Sequence, residues 1–173
     1  MWGRCGAWCG RTSDPAKILA GLNQMLQGRL HNGFVTCVVL RLHADGACVA
    51  SNAGHLAPFL NGWEMELPGA LPLGLSTEMT YAETTVTLGV GDRLTLYTDG
   101  LVEARNEHGE LFGFARVAAL FAERPDAAAV AEAAVRFGQD DDVTVLSLSR
   151  VGGHASRMSS VPGLATARNS VTA

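Results

Sequence analysis

The sequence predicts an α+β fold built on antiparallel sheets, because strand-like and helical segments come in groups and do not alternate one for one. Three observations carry that expectation. Short apolar runs are joined by tight turns, the clearest being Asn61-Gly62 between Leu56–Leu60 and Trp63–Leu67. Helical spacing of apolar residues is confined to three segments, near 15–26, 114–122 and 127–137. A last strand-like run, Val143–Ser149, closes the patterned part of the chain.

Taken in order, Met1–Thr12 has neither helical nor strand periodicity and is read as an irregular start. Asp14 suits a helix N-cap, and Pro15 suits the first helical position, whose N–H has no intrahelical partner anyway. Ile18, Leu19, Leu22, Met25 and Leu26 then give one apolar face, and Asn32-Gly33 ends the segment. Phe34–Leu42 is apolar on both faces, the pattern of a strand buried between layers. The turn His43–Gly46 returns the chain through Ala47–His55. After the Asn61-Gly62 hairpin, residues 68–75 form a Pro/Gly-rich loop. Tyr81–Leu88 and Arg93–Thr98 read as two further strands joined at Gly89–Asp92. A turn at Asn106–Gly109 precedes the helices Phe114–Ala122 and Ala127–Phe137, the second capped by Asp126. Residues 151–173, rich in Gly, Ser, Ala and Thr, read as a disordered tail.

A chain of 173 residues fits one domain with a real core. Its net charge of −4, its single lysine (Lys17) and the lack of any basic run exclude nucleic acid and an anionic membrane surface as partners. Met1–Gly10 has no apolar signal region, and no apolar stretch approaches the roughly 18 residues a membrane span needs. A cytoplasmic chain is the expectation. Cys37 and Cys48 lie in strand-like runs and read as small buried hydrophobes. Cys5 and Cys9 have no second Cys/His pair at zinc-finger spacing.

Two acidic positions stand out. Asp99 ends the apolar strand Arg93–Thr98 and is followed by Gly100, which lets the backbone turn. Asp140-Asp141-Asp142 sits just before the final strand. Carboxylates held at strand ends suit a hard cation such as Mg²⁺ or Mn²⁺. Two like charges about 4 Å apart repel by about 4 kcal/mol at an effective dielectric near 20, a penalty a divalent ion removes. On pattern alone, a turn and a solvated acidic loop explain the same residues.

Several segments together resemble the SpoIIE-type branch of the PPM serine/threonine phosphatases. They are the Asp14-Pro15 helix ending in LNQML, GFVTCVVLRL, SNAGH (51–55), LPLGL (71–75), GDRLTLYTDGLVEARNEHGELFG (91–113) and DDVTVL (141–146). Their order and spacing hold over residues 13–150. YTDGLVEARN with GELFG, and the NAGH box, are the specific parts; DDxT alone is weak.

The resemblance implies a sandwich of two antiparallel β-sheets flanked by helices, with two Mn²⁺ or Mg²⁺ ions at one end. It implies attack by water on the phosphorus of phosphoserine or phosphothreonine, without a covalent phospho-enzyme. The partner implied is a phosphorylated signalling protein, an anti-sigma-factor antagonist being one candidate. By motif matching Asp99 and Asp141 are metal ligands, and Gly100, Asp142 and Thr144 support them from behind. No catalytic duty carries over to His55, which reads as a structural histidine. Glu103 and Arg105 are open between scaffold and substrate-facing roles, while Phe59 and Trp63 read as packing residues. Asp140 lies outside the motif.

The sequence departs from the family at its start. Members carry a GDxYD-like box and a DVxGHG-like box before the Asp14 helix, and these supply further metal ligands. Met1–Thr12 contains no acidic residue. The expectation is therefore an incomplete PPM fold lacking N-terminal strands and part of the ligand set. The competing reading is a catalytically dead fragment or pseudophosphatase acting only as a binding module.

Overall fold

The computed structural model describes residues 12–31, 33–138, 141–152 and the strand 165–167. The irregular start at 1–11, the Cys5 and Cys9 thiols, and Asp140 lie outside the described residues. The elements are α1 (Pro15–Leu26), β1 (Cys37–Leu42), β2 (Ala47–Ala53), β3 (Phe59–Leu60), β4 (Trp63–Glu64), β5 (Thr84–Thr87) and β6 (Arg93–Tyr97). They continue with α2 (Gly100–Glu103), α3 (Gly113–Ala122), α4 (Ala127–Phe137), β7 (Val143–Ser149) and β8 (Ala165–Ala167). The chain forms two units, one of Met1–His55 with Glu66–Leu88, the other of Leu56–Met65 with Gly89–Ala173.

The first unit is a three-stranded antiparallel sheet, β1-β2-β5, with α1 packed on it. Leu19 of α1 is fully buried in a cluster that Cys37 and Val39 of β1 join, so alternate β1 residues face the helix. Arg41, on the same alternation, reaches the Asp14 carboxylate at 3.7 Å. Phe34–Leu42 is not the doubly buried strand its apolarity suggests. Among the described residues β1 pairs only with β2 along its length, every residue of it is at least partly exposed, and Phe34 precedes it in the open. Apolar content reports what a strand could bury, whereas position in the sheet decides what it does bury.

Asp14 occupies the N-cap position of α1, yet its side chain makes no capping hydrogen bond. Lys17 and Arg41 draw the carboxylate away, and the Ala16 N–H is taken instead by Glu83 Oε1 at 2.9 Å. Buried Asn23 anchors the following loop, accepting from Gly74 N and donating to the Ser76 carbonyl, each at 2.8 Å. The strand expected from Tyr81 begins only at Thr84, where pairing with β2 starts. Before it, the Ser51 hydroxyl takes the Ala82 carbonyl at 2.8 Å.

The second unit is a five-stranded antiparallel sheet in the order β4-β3-β6-β7-β8, with α2, α3 and α4. Phe59, Tyr97 and Phe121 form the centre of its core. Phe59 stacks on Phe121 with centroids 4.4 Å apart, and Tyr97 tilts against both. Burial, with the Glu64 charge adding to it, pushes the Tyr97 hydroxyl up to about 12. Trp63, by contrast, is 78% exposed on the edge strand β4. Asp126 caps α4 as its sequence position predicts, accepting from Ala129 N at 2.8 Å, a bond worth about 1 kcal/mol. Within the segment read as a tail, Ala165–Ala167 pair with Val143–Val145 as an edge strand; 153–164 and 168–173 lie outside the described residues.

The Asn61-Gly62 hairpin has positive φ at both residues, 54° and 91°, as a primed turn requires. Asn61 ties it to β6: its Oδ1 accepts from Arg93 N at 3.0 Å and its Nδ2 donates to Asp92 Oδ1 at 2.8 Å. The Asn61 amide and the Gly89 N–H together hold the Asp92 carboxyl below its ordinary value. A lowered carboxylate pKa contributes stability that is present above the unfolded value and is lost as pH falls through the folded one. The acid limb of the stability profile, from about pH 4 downward, should therefore shallow in Asp92→Asn. Urea midpoints measured across that range test it, and identical limbs in both proteins would show that the clasp carries no pH dependence.

Candidate active site

Asp99 and Asp141 both belong to the second unit, and the pairing of β6 with β7 decides where their backbones go. Tyr97 lies opposite Val145 in the antiparallel register. The ladder runs one rung further: Thr98 N donates to the Thr144 carbonyl at 3.1 Å, and Thr144 N donates to Thr98 Oγ1 at 3.0 Å. Beyond that rung, Asp99-Gly100 lies against Asp142-Val143. A Cβ on Gly100 would stand 2.5 Å from the Asp142 carbonyl oxygen, so only glycine allows the two segments this approach.

Asp99 leads directly into α2, a single helical turn in which Glu103 N donates to the Asp99 carbonyl at 2.9 Å. The Asp99 carboxylate caps nothing and is exposed. Asp141 and Asp142 are exposed as well, and Asp141 Oδ1 accepts from Asp142 N at 2.7 Å. Thr144 is half-buried and acts through its backbone, while the hydroxyl in the network belongs to Thr98. Thr98 was missed by sequence reasoning. Its signal was available, as a β-branched hydroxyl residue immediately before a strand-end aspartate.

A hairpin springs from the end of α2. Its base is the bridge Arg105–Leu111, and Arg105 N donates to the Gly138 carbonyl at 3.1 Å, three residues before Asp141. Asn106 organises the tip, accepting from His108 N and Glu110 N and donating to Glu110 Oε2. Arg116 holds the other strand by donating to the Leu111 carbonyl at 2.7 Å, with its guanidinium 5.1 Å over the Phe137 ring. Glu103 is exposed and enters the structure through its backbone. His55, in the first unit, is built into a turn: Asn52 accepts from its N–H and donates to its carbonyl, and its Nδ1 shares a 3.2 Å hydrogen bond with Thr36.

The donor chemistry of Asp99 and Asp141 suits a hard divalent cation, but their number does not complete a site. Among the described residues no group of three or more His, Cys, Asp or Glu side chains stands together as a metal centre. Also among the described residues, no helix is long and apolar enough to cross a membrane.

The comparisons with known proteins agree with this architecture. The chain is 26% identical to the SiaA-PP2C domain of Pseudomonas aeruginosa, with a TM-score of 0.67 over 86% of this chain and 65% of that one. It is also 26% identical to the RsbU and RsbW domains of a Mycobacterium tuberculosis protein, with a TM-score of 0.63 over 83% of this chain and 43% of that one. The phosphatase domain of SpoIIE from Bacillus subtilis, from Mn-presoaked material, shares the fold at 18% identity and a TM-score of 0.58, covering 91% and 76%. No curated protein matches the chain. The two antiparallel sheets with their helices are thus those of a PPM-type phosphatase domain. Residues 7–151 match the family described as Stage II sporulation protein E (SpoIIE), and the chain belongs to that family. It spans less than two thirds of the length of the first two relatives named.

Proposed function

We propose that this chain is the C-terminal part of a metal-dependent phosphatase domain. It acts in the cytoplasm on phosphoserine or phosphothreonine of a signalling partner protein, an anti-sigma-factor antagonist being one candidate. The observation that carries the reading is the extra rung between Thr98 and Thr144, which sets the Asp99 and Asp141 backbones at one end of one pair of strands. Asp99 and Asp141 would hold Mn²⁺ or Mg²⁺ through carboxylate oxygens. Gly100 and Asp142 fix the approach of the two segments, and Thr144 locks its strand to Thr98.

A bound divalent pair supplies an activated water and neutralises phosphoryl charge. A two-ion site takes more donors than two aspartates, so the reading requires donors in addition to Asp99 and Asp141. The test is phosphate release from a phosphoserine peptide by the purified chain in excess Mn²⁺. Turnover above the metal-free blank, removed by EDTA, is the expected result. Absence of turnover would end the hydrolase reading for this chain.

A further inference from the structure

A single residue separates Asp141 from Val143, where β7 begins, so the Asp141 backbone goes where that end of the strand puts it. Two neighbours hold this end, one on each side. On the inner side Thr144 gives both its backbone polar atoms to Thr98. Successive residues of a paired strand turn these atoms to alternate sides. Asp142 obeys the alternation, its carbonyl oxygen lying against Gly100. Val143 and Val145 must therefore turn their N–H and C=O groups outward. There β8 lies antiparallel, with Ala167 opposite Val143, Thr166 opposite Thr144 and Ala165 opposite Val145. Both valines are buried, so their backbone groups need the partners that β8 supplies. The hold is narrow, because β8 is only three residues long.

We propose that the C-terminal strand Ala165–Ala167 is a positioning element for Asp141. By taking the outward backbone groups of Val143 and Val145 it fixes the entry of β7, and so sets how well Asp141 holds a divalent cation. The inference rests on the proposed function and adds to it a means of control. Lifting three residues that come later in the sequence loosens a metal ligand without touching it.

Proline placed in β8 of the full chain tests this. Proline has no N–H, so at 165 it cancels a bond to β7, whereas at 166, where the N–H points away from β7, it cancels none. Isothermal titration with Mn²⁺ should show affinity about tenfold weaker in Ala165→Pro, the loss seen when a group that orients a ligand is removed. Thr166→Pro should match wild type. Amide hydrogen exchange reads the strand itself. The Val143 and Val145 N–H groups should exchange slowly in wild type and fast in Ala165→Pro, while the Thr144 N–H, held by Thr98, stays slow in both. Fast exchange of the two valines in wild type means an open edge and overturns the proposal. So does an Ala165→Pro variant that frees the valines yet binds Mn²⁺ as wild type does, or an equal loss of affinity in both proline variants. Each of these sinks this inference alone. A wild-type chain that binds no Mn²⁺ sinks the proposed function, and this inference with it.

Discussion

Asp99→Asn is expected to abolish Mn²⁺-dependent hydrolysis and to weaken Mn²⁺ binding by about 100-fold or more. Loss of a group that merely orients a ligand costs 10- to 100-fold in metal affinity, and loss of the ligand itself should cost at least that much. The substitution removes charge and one anionic donor while keeping shape. Asp99 is exposed and caps no helix, so the fold should not notice the change. Asp141→Asn should behave alike, and the double variant should be little worse than either single one, because groups acting as a unit lose their effect together. Asp126→Asn serves as the control, since its carboxylate caps α4. Isothermal titration with Mn²⁺ reads the effect. Superimposable isotherms for wild type and Asp99→Asn would remove residue 99 from the ligand set.

The second large effect is expected on stability. Gly138 ends α4 with φ at 126°, and a Cβ there would lie 2.2 Å from the Arg105 carbonyl oxygen and 3.1 Å from Asn106 Cα. These are backbone atoms and cannot swing aside. Gly138→Ala should therefore cost about 3 kcal/mol, combining overpacking with a backbone conformation that L-residues avoid. Gly109 provides the comparison. It also has positive φ, at 77°, but nothing stands within 4 Å of its absent Cβ. Gly109→Ala should lose only about 1–2 kcal/mol through its backbone. Urea denaturation of both variants decides the matter, and equal losses would show that the approach of Gly138 to Arg105 contributes nothing.

What the sequence could and could not convey follows the range of each interaction. Asp126 and the Asn61-Gly62 turn were legible because cap and hairpin chemistry is settled within a few residues. Asp14 was not, although it sits in the same kind of position. Its carboxylate goes to Lys17 and to Arg41 of another element, and the helix N–H is served by Glu83, 67 residues away. The exposure of β1 was illegible for a related reason, since neighbours in a sheet leave no mark on a strand's own periodicity. The helix α2 spans four residues, too few to display a helical period.

At the site, sequence pattern located Asp99 and Asp141 at the ends of apolar runs, and family resemblance gave them a role. The register that brings their backbones together is a matter of β6 finding β7 some 46 residues later, as the Thr98–Thr144 bond records. Gly100 was read as a turn residue. The chain does turn there, into α2, and Gly100 is also the point where one segment nearly touches the other.

The bond pair between Thr98 and Thr144 has a mechanical corollary. Because sheet hydrogen bonding continues to within one residue of the first aspartate, the gap between the two acidic stretches is gauged by a stiff ribbon. A guest preferring a wider or narrower spacing would have to bend that ribbon, not merely shift a loop.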